Sequence, residues 1–110
     1  MLFKIIDTSN FINSSFNSTI SLFDLTGRTV LITGGGGALG SAIGHGLSQV
    51  GAEVIIADIN LENASKVADK IKSAGGVAHA FEGDLSKESV VEELFAKIDK
   101  ISPINILVNA

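Results

Sequence analysis

Seven consecutive residues, Gly34-Gly35-Gly36-Gly37-Ala38-Leu39-Gly40, have the composition of a loop that brings bare backbone against a phosphate. Gly35, Gly37 and Gly40 satisfy a Gly-x-Gly-x-x-Gly spacing. A glycine-rich turn between a strand and a helix points N–H groups at a pyrophosphate, and the helix N-terminus favours its negative charge. Asp58 closes the next apolar run, 18 residues after Gly40. A carboxylate at that point can accept hydrogen bonds from the hydroxyls of an adenosine ribose, and it would repel a 2′-phosphate. Gly37 and Ile59, its expected neighbours, carry no charge to offset that repulsion. The loop and the acid together predict a dinucleotide site that takes NAD, with NADP disfavoured. Asp84 closes a third apolar run in the same way, as a turn or cap residue at Asp84-Leu85-Ser86, as an adenine contact, or as both.

These residues need a scaffold, and the apolar periodicity supplies one. Thr29-Val30-Leu31-Ile32 is a short β-branched run ended by glycines, the signature of a buried parallel strand. From Ala38 to Val50 the apolar positions Leu39, Ala42, Ile43, Gly46, Leu47 and Val50 fall at spacings of three and four, one face of a helix. Gly44 and Gly46 weaken that helix, with close packing on a sheet as the expected reason, and Gly51 is placed to end it. Glu53 to Asp58 predicts a second strand. A helix capped by Asn60 follows, with Ala64, Val67, Ala68, Ile71 and Ala74 on its inner face and Gly75-Gly76 as its stop. Val77 to Phe81 predicts a third strand, running on towards Gly83-Asp84. Ser86 is placed to cap a third helix with Val91, Leu94, Phe95, Ile98 and Ile101 inward. Ile104 to Val108 predicts a fourth strand. The order β-α-β-α-β-α-β predicts an α/β fold: a Rossmann-type doubly wound parallel sheet, here its first four strands, in the order 3-2-1-4. The ligand crevice then lies between the carboxyl ends of the first and fourth strands, with Gly34 and Asn109 on either side.

Composition excludes several other classes. The 110 residues carry a net charge of -4, and their lysines and arginines form no stripe, so the footprint of a nucleic-acid binder is missing. No cysteine is present, and His45 and His79 fall on different elements, so neither a disulfide nor a metal site is expected. No apolar run reaches the length of a membrane span, and Asp7 interrupts the apolar start before a signal-peptide core can form. A soluble, cytoplasmic protein is expected. Residues 1–22 differ from the rest, because Ser, Asn and Thr fill ten of those positions. They are expected to be a poorly ordered extension, with residues 23–110 as the dinucleotide-binding domain. The Asn-x-Ser/Thr patterns at Asn13 and Asn17 are read as chance matches.

In order and spacing, Thr33-Gly34…Gly40, Asp58, Gly83-Asp84-Leu85 and Leu107-Val108-Asn109-Ala110 resemble the short-chain dehydrogenase/reductase family. The resemblance runs from about Phe23 to Ala110. It implies that Gly34, Gly40 and the backbone of Leu39 approach a pyrophosphate, that Asp84 and the backbone of Leu85 contact adenine, and that Asn109 steadies the sheet beside the cofactor. The chain departs from the family pattern at two positions. Ala38 stands where the family writes its second fixed glycine, and Ala110 where a second Asn is frequent. Members resembling fructuronate reductases (D-mannonate oxidoreductases) carry a similar Gly-Gly-Gly-Gly-small-Leu-Gly run, which leans towards sugar-acid chemistry.

The resemblance also implies what is missing. The family's chemistry uses a Tyr as acid/base, a Lys four residues later and a Ser that orients the carbonyl, all beyond the fourth strand. This chain contains no tyrosine, and no catalytic residue is assigned in it. The expectation is therefore the NAD-binding half of an oxidoreductase that acts on a small alcohol or carbonyl substrate, a homo-oligomer when complete. The 110 residues alone are expected to be inactive and prone to associate. The alternative is a non-catalytic nucleotide-binding or interaction module.

Overall fold

The computed structural model describes residues 22–110. The expected extension lies outside them except for Leu22, and so do both Asn-x-Ser/Thr patterns. The elements are β1 (Thr29–Thr33), α1 (Ala38–Gln49), β2 (Glu53–Asp58), α2 (Leu61–Ser73), β3 (Val77–Glu82), α3 (Glu88–Asp99) and β4 (Ile106–Asn109). All strand pairs are parallel, and the sheet order is β3-β2-β1-β4, as the alternation of elements predicts.

The strands read as apolar runs because both faces of the sheet are covered. Val30, Ile32, Val54, Ile56 and Ala78 point to one side and pack against Ala64, Val67, Ala68 and Ile71 of α2, with Ile43 and Leu47 of α1 alongside. Leu31, Ile55 and Ala57 point to the other side, under Leu94 and Ile98 of α3. Helices on both faces of a parallel sheet make the doubly wound arrangement.

The inner face of α1 differs from the expected stripe. Leu39, Ala42 and Gly46 are exposed, and the helix meets the sheet through Gly40, Ile43, Gly44 and Leu47. Gly44 explains the shift. A Cβ there would lie 3.4 Å from the Cδ1 atoms of Ile32 and Ile56 and 3.5 Å from that of Ile71, so the helix backbone rests on three isoleucine tips. Nothing lies within 4 Å of the corresponding point on Gly46, so packing does not account for that glycine. Ala74 and Ile101, the last members of the other two stripes, are also exposed because each helix has ended before them.

Local signals hold elsewhere. Gly51 and Gly75 follow the helix ends with φ of 101° and 92°, the left-handed conformation that stops a helix at low cost for glycine. Asn60 caps α2, its side chain accepting from the Asn63 N–H at 3.1 Å. Ser86 does not cap α3. That helix starts at Glu88 without a side-chain cap, and the Ser86 hydroxyl donates instead to Asp84 Oδ1 at 2.6 Å. The fourth strand starts at Ile106, later than Ile104, because the segment before it is tied differently. Asn105 Oδ1 accepts the Thr29 N–H at 2.8 Å, and the Asn105 N–H donates to the Thr29 carbonyl at 2.9 Å.

Candidate functional site

The strand order puts the carboxyl ends of all four strands along one edge, and the residues singled out by type arrive there together. Gly34 to Gly37 leave β1, Asp58 ends β2, Asp84 lies just past β3 and Asn109 ends β4. The Gly83 N–H donates to the Asp58 carbonyl at 3.0 Å, which carries the β2–β3 register one step further and sets Asp84 beside Asp58 along the edge.

Glycine is required in the loop for contact, not for flexibility. Gly34 has φ of 69°, and a Cβ on it would lie 2.7 Å from the Ala110 carbonyl oxygen. A Cβ on Gly35 would lie 2.9 Å from Ile56 Cγ2 and 3.0 Å from the Ile32 carbonyl oxygen. On Gly40 it would meet Gly35 Cα at 2.5 Å and the Gly34 oxygen at 2.8 Å, so the first turn of α1 packs directly on the loop it follows. Gly37 is different: only the Gly34 oxygen, at 3.6 Å, comes near. This is the open face, where another molecule's atoms could approach the backbone.

The first turn of α1 is left electrically available. Gly37 is its N-cap and offers no side chain, and no acid lies in the turn. Asn60 and Glu62 serve α2 in those roles, and Glu88 lies in the first turn of α3. The Ser41 N–H is satisfied by the Gly37 carbonyl at 2.9 Å, while the N–H groups of Ala38, Leu39 and Gly40 find no acceptor in the loop. Three donors without a partner among the described residues, at the positive end of a helix dipole, suit an anion. Ala38 is the first helical residue and is exposed; no described residue other than glycine has positive φ, so alanine sits there without backbone strain.

Asp58 is bound to the loop, not merely near it. Its Oδ2 accepts the Gly36 N–H at 3.1 Å, and its Oδ1 accepts the Asn60 N–H at 2.9 Å. The contact on the loop is therefore Gly36 and not Gly37, because Gly36 is the residue that turns its missing side chain towards β2. Asn60, not Asp58, caps α2. Ile59 is 66% exposed and flanks the acid as an apolar surface, as Leu39 does beside the first turn of α1. Asp84 Oδ1 accepts both the hydroxyl and the N–H of Ser86, the first of which is the main reason its carboxyl lies below the usual carboxylate range. Among the described residues its Oδ2 accepts no hydrogen bond. Leu85 is half-buried and packs under α3. Asn109 Oδ1 accepts the Thr33 hydroxyl at 2.7 Å, which locks the ends of β1 and β4 on either side of the crevice. Thr33, Asn60 and Asn63 are the members of this edge that residue type alone did not mark as site residues, since nothing in a single sequence shows which strand end or helix turn touches which.

Other features stay apart from this edge. A cavity of about 380 Å³ lies at the opposite end of the sheet, lined by Arg28, Thr29, Glu53, Val77 and Ser102 among others. In α/β sheets ligands sit outside the carboxyl ends of the strands, and this cavity opens at the amino ends. His79 approaches Glu53 at 3.6 Å, and His45 lies on α1, so the two histidines do not meet. Among the described residues no group of acids and histidines could hold a metal ion, and no helix is long and apolar enough to cross a membrane.

Comparison with known proteins agrees with the geometry. The 7alpha-hydroxysteroid dehydrogenase of Escherichia coli (strain K12) is 38% identical over 87 residues, which cover 77% of this chain and 34% of that protein. The chain thus spans about a third of the length of the curated relatives it matches. Among solved structures, the Pseudomonas aeruginosa RhlG/NADP active-site complex superposes with a TM-score of 0.74 at 36% identity, covering 80% of this chain and 36% of that one. A Haemophilus influenza protein assigned as a D-mannonate oxidoreductase, with bound NAD, gives a TM-score of 0.75 at 29% identity over 81% of this chain and 32% of that one. The sugar-acid relative is therefore present, but steroid dehydrogenases are equally near, and the similarity ranks neither substrate first. Residues 28–110 match the family model for short chain dehydrogenase, and the chain belongs to that family, over the part of the fold that binds a nicotinamide dinucleotide.

Proposed function

We propose that this chain is the NAD-binding portion of an oxidoreductase that transfers a hydride, in the complete protein, between NAD(H) and a small alcohol or carbonyl substrate. The observation that carries the reading is the Asp58 carboxylate, fixed by the Gly36 N–H at 3.1 Å beside a helix turn with free N–H groups. Anion donors and a ribose acceptor lie at the same edge of the sheet, as a dinucleotide site requires. When bound, the nicotinamide supplies the hydride acceptor or donor. The residues of this chain hold and orient it: Gly34 to Gly37 and the N–H groups of Ala38, Leu39 and Gly40 take the pyrophosphate. Asp58, with Ile59 alongside, takes the adenosine ribose. Asp84 and Leu85 line the adenine side, and Asn109, bonded to the Thr33 hydroxyl, steadies the sheet beside the cofactor. The preference for NAD over NADP rests on charge, since a 2′-phosphate would have to lie against the Asp58 carboxylate. We infer a cytoplasmic setting, and the family resemblance implies a homo-oligomer for the complete enzyme.

Titration of the chain with NADH and with NADPH, followed by nicotinamide fluorescence, tests the proposal. NADH is expected to bind at least about tenfold more tightly, a difference of about 1.4 kcal/mol. Equal affinity for the two would remove the NAD assignment, and binding of neither would remove the cofactor assignment itself.

The second reading is a nucleotide-binding or interaction module without catalysis. It requires stoichiometric NAD binding by a complete protein that oxidises no alcohol.

A further inference from the structure

The amino ends of the strands carry a second gathering of polar groups, at the far end of the sheet from the dinucleotide edge. Glu53, the first residue of β2, lines the cavity of about 380 Å³ there, with its side chain 28% exposed. A carboxylate has about four acceptor sites to fill. This one receives a single long hydrogen bond, from the Thr29 hydroxyl to Oε1 at 3.3 Å, and the Ser102 hydroxyl, 2.7 Å from that of Thr29, extends the row across the strand ends. His79 Nε2 comes only to 3.6 Å from Oε2, outside hydrogen-bond range, and is itself buried without a partner among the described residues. Gly51 and Gly75, which follow the ends of α1 and α2, line the same cavity, so the negative ends of two helix dipoles meet there. α2 carries Lys70 and Lys72 in its last turn, whereas α1 has no basic residue in its own. Arg28 lines the cavity as well; it is exposed, and among the described residues it makes no ion pair. The Glu53 N–H donates to the Arg28 carbonyl at 3.0 Å, which sets the two residues side by side. Strand alternation, carried one residue ahead of β1, sends Arg28 to the face of Val30 and Glu53 to the face of Ile55. The opposite charges therefore share a cavity without neutralising each other.

We propose that this cavity is a binding site for a free α-amino acid, whose ammonium group goes to Glu53 and whose carboxylate goes to Arg28. The proposal stands apart from the dinucleotide reading, since the site lies at the other end of the strands. An ammonium has three donors and no acceptor, which suits the open Glu53 oxygens and the carbonyl end of α1. A guanidinium pairs with a carboxylate through two parallel N–H bonds. One carbon carries both groups in an α-amino acid, which matches two charges held on adjacent residues of neighbouring chain segments. A simple ion of either sign would satisfy one charge and confront the other. Ser48 adds a hydroxyl to the wall, and Val77, 53% exposed, offers an apolar surface to a short side chain. The volume of about 380 Å³ falls within the range of small-molecule pockets, about 300–1,000 Å³.

The test is an amide NMR titration of the full chain with L-alanine and, at matched ionic strength, with propionate and with ethylamine, each of which keeps one of its two charged groups. L-Alanine is expected to shift the amides of Ser48, Gly51, Glu53 and Ser102 saturably and to leave those of Gly36 and Gly37 in place. Each half-probe is expected to bind at least about tenfold more weakly, the weight of one charge-assisted contact. Arg28→Gln and Glu53→Gln are each expected to weaken L-alanine by a similar factor; Arg28 is exposed, so its replacement leaves the core intact. No saturable shift with L-alanine overturns the proposal. Propionate or ethylamine binding as tightly as L-alanine also overturns it, because the cavity would then be a site for a single charge. An Arg28→Gln chain that binds L-alanine as tightly as the parent has the same consequence. A failure of the chain to bind NADH would remove the dinucleotide reading and leave this titration unaffected.

Discussion

Replacing Gly40 with alanine puts a methyl group where the structure has backbone. The new Cβ would lie 2.5 Å from Gly35 Cα, 2.8 Å from the Gly34 oxygen and 3.0 Å from the Gly35 carbonyl carbon. Ordinary contact begins near 3.4 Å, so the loop and the helix must part by about 0.9 Å at the closest point. All three atoms are backbone, and no rotamer relieves them. The loop cannot back away freely either, because a Cβ on Gly35 would already fall within 3.0 Å of Ile32 and Ile56 atoms, so its residues are pressed against the sheet. Overpacking of this kind costs about 1–3 kcal/mol. The higher helix propensity of alanine returns at most about 1 kcal/mol, leaving a net loss of up to about 2 kcal/mol. For a domain of this size that lowers Tm by up to roughly 16 °C. Thermal unfolding followed by circular dichroism, at matched protein concentration, reads the shift. Gly46→Ala provides the comparison: with open space around it, the same change is expected to raise stability by up to about 1 kcal/mol. A Gly40→Ala chain that melts at or above the parent would refute the claim that contact, and not flexibility, fixes glycine at this position.

Two further outcomes follow from the same geometry. The Asp84 carboxyl is held below its usual range, chiefly by the Ser86 hydroxyl and then by the Ser86 N–H. A lowered carboxyl stabilises the folded turn above the unfolded-state value and loses that contribution as pH falls through the folded value, so the turn loosens in acid; NMR titration should show a raised Asp84 midpoint in Ser86→Ala, and an unchanged midpoint would discard the hydroxyl as the cause. Among the described residues β4 pairs only with β1, and Leu107 is 59% exposed, so the 110-residue chain is expected to associate at rising concentration in sedimentation experiments and to show no turnover of alcohols with NAD; a monomer across the range would contradict the first.

Much of this architecture could be read before the structure because strand and helix periods differ so clearly. Val30 to Ile32 and Val54 to Ala57 are continuous apolar runs, and only a sheet covered on both faces buries such runs completely. The strand order followed from the alternation of elements. What could not be read was contact at the level of single residues. The face of α1 was misplaced because alanine, leucine and glycine all scored as apolar. The helix in fact approaches through Gly40 and Gly44, where the absence of a side chain matters more than hydrophobicity. The hydrogen bond from Gly36 to Asp58 is hidden in the sequence for a related reason. Four glycines in a row look equivalent in a sequence, and only the fold shows that Gly36 faces β2 while Gly37 faces outward. Ser86 has the residue type of a helix cap, yet α3 starts without one. The short reach to Asp84 was available two residues earlier, and the hydroxyl took it.

The lock between Thr33 and Asn109 joins residues 76 apart in the chain, whereas Thr29 meets Glu53, its register partner on β2, across 24. Closing the longer loop costs roughly 1 kcal/mol more in chain entropy, on a logarithmic dependence on loop length. Pairings of that separation are also the slow ones in folding. The glycine loop, α1, β2 and the Asp58 contact all lie within residues 29–58 and need nothing from β4. On a ribosome, where the chain emerges amino end first, the phosphate cradle and its ribose acid can therefore assemble while Asn109 is still unmade. The far wall of the crevice is added later, to a pocket whose recognition groups are already in register.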